Sequence, residues 1–153
     1  MLARAIIDAN RYMVLGTADA EGRPWVSPVW FAPGAGRQFL WVSAPDAAHS
    51  RNLAARPELS AVIFDSTVPA GAGQALYLAG TGAELDGDER AAAIERYSAH
   101  SLAHGGPAWS VEDVRAPARL RLYRAVAGEA WILGEHDRRV PVDLPVDLPE
   151  EGA

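Results

Sequence analysis

The 153-residue chain has no cysteine. That excludes disulfides, thiolate metal sites and cysteine nucleophiles. Lysine is missing as well, since all 14 basic residues are arginine. No side-chain amine is therefore present for Schiff-base chemistry. A bound phosphate has to be met by arginine, histidine, hydroxyls or backbone N–H groups. No apolar run approaches the roughly 20 residues that a membrane-spanning helix needs. The first residues, MLARAIIDANRYMV, lack the continuous apolar segment and small-residue cleavage site of a secretory signal. The expectation is a cytoplasmic protein with no membrane partner. Positive charge is also short: the formal net charge is −6, which argues against a nucleic-acid partner. GxGxxG, Walker and HExxH motifs do not occur.

What remains is an ordinary globular composition, 49% hydrophobic and 22% charged. The length suits one compact domain with its own core. The expected organisation is a single domain over residues 1–140, followed by an acidic, Pro-rich tail over 141–153. That tail, PVDLPVDLPEEGA, contains an imperfect PVDL repeat. Helical spacing covers Leu2 to Asn10. Period-two patterning then predicts strands over Tyr12–Asp19, Arg23–Ala32 and Gln38–Ser43. A short helix follows, with Asp46 as its expected cap and Pro57 as its stop. The run LSAVIF, Leu59 to Phe64, reads as a central strand buried on both faces. Ala75–Leu85 is a further strand, in which Gly80 and Gly82 suggest a bend or a close backbone approach. A second helix starts at Asp86 and runs to about Ala99, residues 100–114 read as irregular, and Leu120–Leu133 gives one or two last strands. This order predicts a mainly β fold with inserted helices, closed or partly closed into a barrel.

The stretch Gly22 to Pro57 holds the residues with the most chemistry. On the short helix, His49, Asn52, Leu53 and Arg56 fall on one stripe, while Arg51 points the other way. His49 and Asn52 can then face a ligand together, with Leu53 anchored in the core. A phosphate at the helix start would meet unsatisfied N–H groups and the positive end of the helix dipole. Ser43 and Ser50 can add hydroxyls, and Arg51 can either curl back or make a surface or dimer ion pair. Pro28 has no N–H, which predicts an unpaired position in its strand. His100 and His104 are four apart, a spacing that can bind metal, but no acidic or histidine partner sits in a matching pattern, and no metal site is expected.

Four pieces, LGTADAEGRPWVSPVWF, FLWVSAP, HSRNLAARPELSAVIF and LAGTGAEL, occur in that order. Together they resemble the FMN-binding split-barrel family typified by pyridoxamine 5′-phosphate oxidase, from about Tyr12 to Leu133. The resemblance implies a split β-barrel, a homodimer of side-by-side barrels, and an FMN in the groove between them. It implies that Ser27, Pro28, Val29 and Trp30 run along the isoalloxazine ring, and that Val42, Ser43, His49, Ser50, Arg51 and Asn52 hold the ribityl phosphate. Gln74, Tyr77 and Trp131, from the later strands, are the candidates to complete the site from the partner chain. The oxidase has an arginine where this chain has Ser27 and a lysine near Ala32. Its cationic phosphate ligands fall at Ala48 and His49. These differences, and a tail without the oxidase's closing Trp–Arg signature, point away from pyridoxamine phosphate.

The expected activity is oxidoreduction of a small-molecule substrate through FMN. The deazaflavin coenzyme F-420 is an alternative cofactor. A second class of function is a non-catalytic flavin- or haem-binding module, with His49, His100 or His104 as possible iron ligands. A third is an empty scaffold that only dimerises.

Overall fold

The computed structural model describes residues 2–144. Three helices, α1 (Leu2–Ala9), α2 (Ala48–Ala55) and α3 (Gly87–Ala103), are set among seven strands. The strands are β1 (Tyr12–Ala18), β2 (Pro24–Pro33), β3 (Gln38–Ser43), β4 (Glu58–Phe64), β5 (Ala75–Glu84), β6 (Arg121–Leu133) and β7 (Arg139–Pro141). Neighbours run antiparallel in the order β3-β2-β1-β4-β5-β6-β7, and β3 also pairs with β6. That extra pairing closes six strands into a barrel, with β7 added along the outside of β6.

Alternation along the strands sorts the side chains into two layers. Met13, Leu15, Phe31, Phe39, Trp41, Ile63 and Leu76 point inward and form the main core, together with Ile6 and Ile7 of α1 and Leu53 of α2. Ala32, Leu40 and Leu122 point outward and pack beneath α3, through Ile94 and Tyr97, and against Val114. The LSAVIF strand is not buried on both faces. Leu59, Ala61 and Ile63 are inside, whereas Ser60 and Phe64 are exposed. Helix α3 runs four residues past the expected Ala99. It stops where Gly105 takes a φ of +80°, a conformation open to glycine at low cost. Leu120–Leu133 forms one strand, bent by a register shift at Ala79/Gly80 of β5. There a Cβ on Gly80 would sit 2.0 Å from the carbonyl oxygen of Val126.

The core continues past residue 140. Val142 packs against it and Leu144 is buried within it. The second PVDL unit and the acidic end lie outside the described residues. No helix among the described residues is long and apolar enough to cross a membrane.

Two strands of the barrel separate early. β2 and β3 pair only at Phe31–Trp41, Ala32–Leu40 and Pro33–Phe39. Beyond Phe31, β2 continues along β1 as far as Pro24 while β3 continues along β6 as far as Ser43. Helix α2 stands at this split, making contacts with β1, β2 and β5.

Candidate functional site

The split is lined on one side by a free strand edge. Phe31 donates its N–H to Arg11 and Asp19 donates to Arg23, so the odd-numbered residues of β2 bond to β1. By the alternation of an antiparallel ladder, Trp30, Pro28 and Val26 turn their backbone groups away from β1. The unpaired position expected at Pro28 is found on this edge only. Pro28 lies in register opposite Val14, with its ring nitrogen on the side that has no ladder partner among the described residues. A proline there costs no hydrogen bond and blunts an exposed edge.

The other side is the β3–α2 corner. His49 Nε2 lies 2.8 Å from the Ser43 hydroxyl, and Ser50 donates its hydroxyl to the Ala44 carbonyl at 2.7 Å. Asn52 donates Nδ2–H to the Thr17 hydroxyl at 3.1 Å, linking α2 to β1 across 35 residues of sequence. His49, Asn52 and Leu53 of the expected stripe are buried and Arg51 is exposed, whereas Arg56, its fourth member, is exposed at the cap beyond α2, and Ser50 is buried as well. Burial pushes the His49 imidazole below its ordinary value, so at neutral pH it is uncharged. Beneath the corner, Trp41 stacks on Tyr123 at 5.6 Å between ring centroids. Burial raises the Tyr123 phenol pKa, and the Ser50 hydroxyl beside it acts in the opposite direction.

Asp46 does not cap α2. The cap position is Ala47, which has no side chain able to accept a hydrogen bond, and Asp46 is exposed. The N–H of Arg51 is the first to reach an intrahelical acceptor, the Ala47 carbonyl. The N–H groups of residues 48–50 precede it, with no side-chain cap.

The remaining sequence candidates divide between two faces. Ser27 and Val29 lie on the inward side of β2, Val29 buried and Ser27 partly so. Trp30 and Val42 are half-buried on the outward side, packed against the cluster under α3. The Trp30 ring lies 5.5 Å from Tyr97, edge-on, and 5.4 Å from His100. Pro28, Tyr77 and Trp131 belong to a single transverse row of the sheet. Its register runs Pro28, Val14, Val62, Tyr77, Trp131 and Pro141 across six strands. Arg139 lies over the Tyr77 ring at 4.0 Å. Gln74 is apart from the corner, in a cavity of about 240 Å³ beside Ala5, Ile6, Ala9, Asn10, Asp65, Val68 and Ala72.

Two members of the corner were not picked out from the sequence, Thr17 and Tyr123. Thr17 is the polar residue at an inward position of an otherwise apolar strand, a signal that a buried hydrogen bond was needed. Tyr123 is one aromatic in a long strand and gave no such signal.

The family model for pyridoxamine 5′-phosphate oxidase matches residues 2–131. The chain belongs to this family. Its fold also matches solved structures at low identity. A haem-binding protein from Mycobacterium smegmatis superposes with a TM-score of 0.72 at 24% identity, over 92% of this chain and 56% of the other. This chain thus spans little more than half of that protein's length. HutZ, the haem storage protein of Vibrio cholerae, gives 0.68 at 18% identity, over 86% and 92%. A pyridoxamine 5′-phosphate oxidase-like protein from Listeria innocua gives 0.64 at 15%, over 86% and 95%. No curated protein matches the chain.

Proposed function

We propose that this family member binds FMN in the split and acts as a flavin-dependent oxidoreductase on a small molecule. The observation that carries the reading is the uncapped start of α2 beside Ser43, at the point where β2 leaves β3. The free N–H groups of residues 48–50, the Ser43 hydroxyl and the exposed Arg51 together suit a phosphate monoester. The free edge of β2 and the half-buried Trp30 offer a backbone and an aromatic surface for a planar ring. When bound, the flavin supplies the hydride or electron transfer, so no side-chain base is needed. This chain's residues bind it, orient it and exclude water. The neutral His49 adds no fixed charge, which favours the compact phosphate of FMN over the longer acidic tail of the deazaflavin F-420.

The same reading includes a homodimer with the cofactor at the interface. The apolar residues Val26 and Tyr12, at 67% and 60% of full exposure, lie on the outward face of β2 and β1 next to the split. A second copy laid on this face would cover them.

Haem is the second reading. Proteins of this fold named for haem binding and haem storage support it, as does the uncharged state of His49, the form in which imidazole ligates iron.

The visible spectrum of untagged protein, as purified and after adding FMN, tests both. A two-banded flavin spectrum is the expected result, and an intense Soret band would favour haem. Protein that is colourless and does not bind added FMN would overturn the leading reading. If FMN binds, anaerobic reduction by NADPH or NADH and reoxidation by a quinone would separate an enzyme from a binder.

A further inference from the structure

The C-terminal half of α3 carries a cluster that the cofactor reading does not use. His100 and His104 lie one helical turn apart on the same face, with ring centroids separated by 4.2 Å. His104 Nδ1 lies 2.8 Å from the backbone carbonyl oxygen of His100. A carbonyl oxygen only accepts, so this contact makes Nδ1 a donor and leaves Nε2 as the nitrogen open to a ligand. A histidine held by one ring nitrogen and open at the other is the usual arrangement of a metal ligand. His100 is half-buried, with its ring packed on Trp30 at 5.4 Å. Trp30 is fixed in turn by Tyr97, which packs edge-on to Trp109 at 5.7 Å. This aromatic stack limits the orientations open to the His100 ring.

Burial is the largest influence on His100, followed by the neighbouring His104 and Arg11, and together they push its pKa down to about 4. Asp8 acts in the opposite sense and Arg4 in the same sense as Arg11, so the surroundings hold both signs of charge.

We propose that His100 and His104 form a two-imidazole site for a late divalent transition-metal ion, Cu(II) before the others. Imidazole suits copper, nickel and zinc, and Cu(II) stands at the top of the affinity order for nitrogen ligands. Among the described residues, no group of three or more His, Asp or Glu side chains could hold a metal. Solvent therefore completes the coordination. A tetragonal Cu(II) or Ni(II) centre accepts that, whereas structural zinc takes four protein ligands. The site shares no ligand with the α2 corner.

The test uses the untagged full chain titrated with copper(II) chloride. The expected result is saturable quenching of tryptophan fluorescence at one equivalent per chain, since Trp30 adjoins the site. The copper EPR spectrum should show coupling to two imidazole nitrogens. Loss of a ligand should cost at least the roughly tenfold seen when a ligand's hydrogen-bond partner is removed. His104→Ala, at an exposed position that does not endanger folding, should weaken binding by that much or more. His136→Ala, at an exposed histidine in the turn before β7, should leave binding unchanged. Absence of saturable binding, coupling to a single nitrogen, or a His104→Ala variant that binds as tightly as the parent would each overturn the proposal.

Discussion

Burial lowers the His49 pKa from the ordinary 6.5, and this has a consequence for stability that can be measured. As pH falls, the unfolded chain takes up this proton before the folded one does. The unfolded state then binds more protons, so stability is full above the ordinary histidine pKa and declines below it. Thermal unfolding between about pH 7.5 and 5.5 should show a smaller loss for His49→Asn than for the parent, because asparagine does not titrate in that range. The same residue tests the phosphate site. A hydrogen bond to a charged group contributes about 1.5–3 kcal/mol, so His49→Ala should weaken FMN by roughly tenfold or more. Riboflavin, which lacks the phosphate, should bind much as before. Equal losses for both would make His49 a structural residue whose work is to hold Ser43. The stripe of His49, Asn52 and Leu53 was legible from spacing alone, because helical periodicity fixes which residues share a face. The partners of that stripe were not. Thr17 meets Asn52 only because the barrel closes over 35 residues of intervening chain.

At the level of single elements, glycine positions in the sheet separate tight from open contacts. A Cβ at Gly80 would fall 2.0 Å from the backbone oxygen of Val126, which cannot rotate away. Gly80→Ala should destabilise the protein by about 1–3 kcal/mol in chemical denaturation, the usual range for overpacking. Gly128 faces nothing nearer than the Ala79 carbonyl oxygen at 3.6 Å, so Gly128→Ala should have a much smaller effect. Gly80 was expected to mark a bend or a close backbone approach, and the structure shows the approach, to the Val126 backbone, beside the register shift between Ala79 and Gly80. The cap of α2 was misjudged because Asp46 is a good capping residue by type. The chain turns one residue later, at Ala47, and a side chain outside the cap position cannot reach the helix N–H groups. At the other end of the chain, Leu144 is 4% exposed and packs in the main core. Leu144→Ala should cost about 2–5 kcal/mol, as truncation of a buried leucine does. A negligible effect would mean that the fold is complete before residue 144.

Across the whole molecule, the outer face of β1 and β2 leaves Tyr12 and Val26 largely exposed, next to the split. Exposed apolar groups gathered on one face mark an interaction surface. A charge placed there should prevent a second copy from docking. Val26→Glu should sediment as a monomer where the parent sediments as a dimer, and should retain less FMN after gel filtration. A flavin-loaded monomeric parent would contradict a shared groove.

Some properties of this protein follow from the sequence by itself. Period-two and period-3.6 patterns place the strands and helices, because each element must bury one set of side chains. Proline and glycine mark most of their ends, and the absence of cysteine and lysine removes whole classes of chemistry. Motif order alone was enough to indicate the family. What only the tertiary structure decided depends on contacts between distant segments. Pairing of β3 with β6 closes the barrel, and the early parting of β2 from β3 opens the split. Burial then makes His49 neutral, and the packing of α3 on Trp30 sets the His100 ring against the indole. Neither effect is local, since a side chain's hydration and its neighbours are set by every segment that folds against it. The stretch from Gly22 to Pro57 supplies both walls of the split, but their separation is fixed by β1 and β6, which hold the two walls from opposite sides.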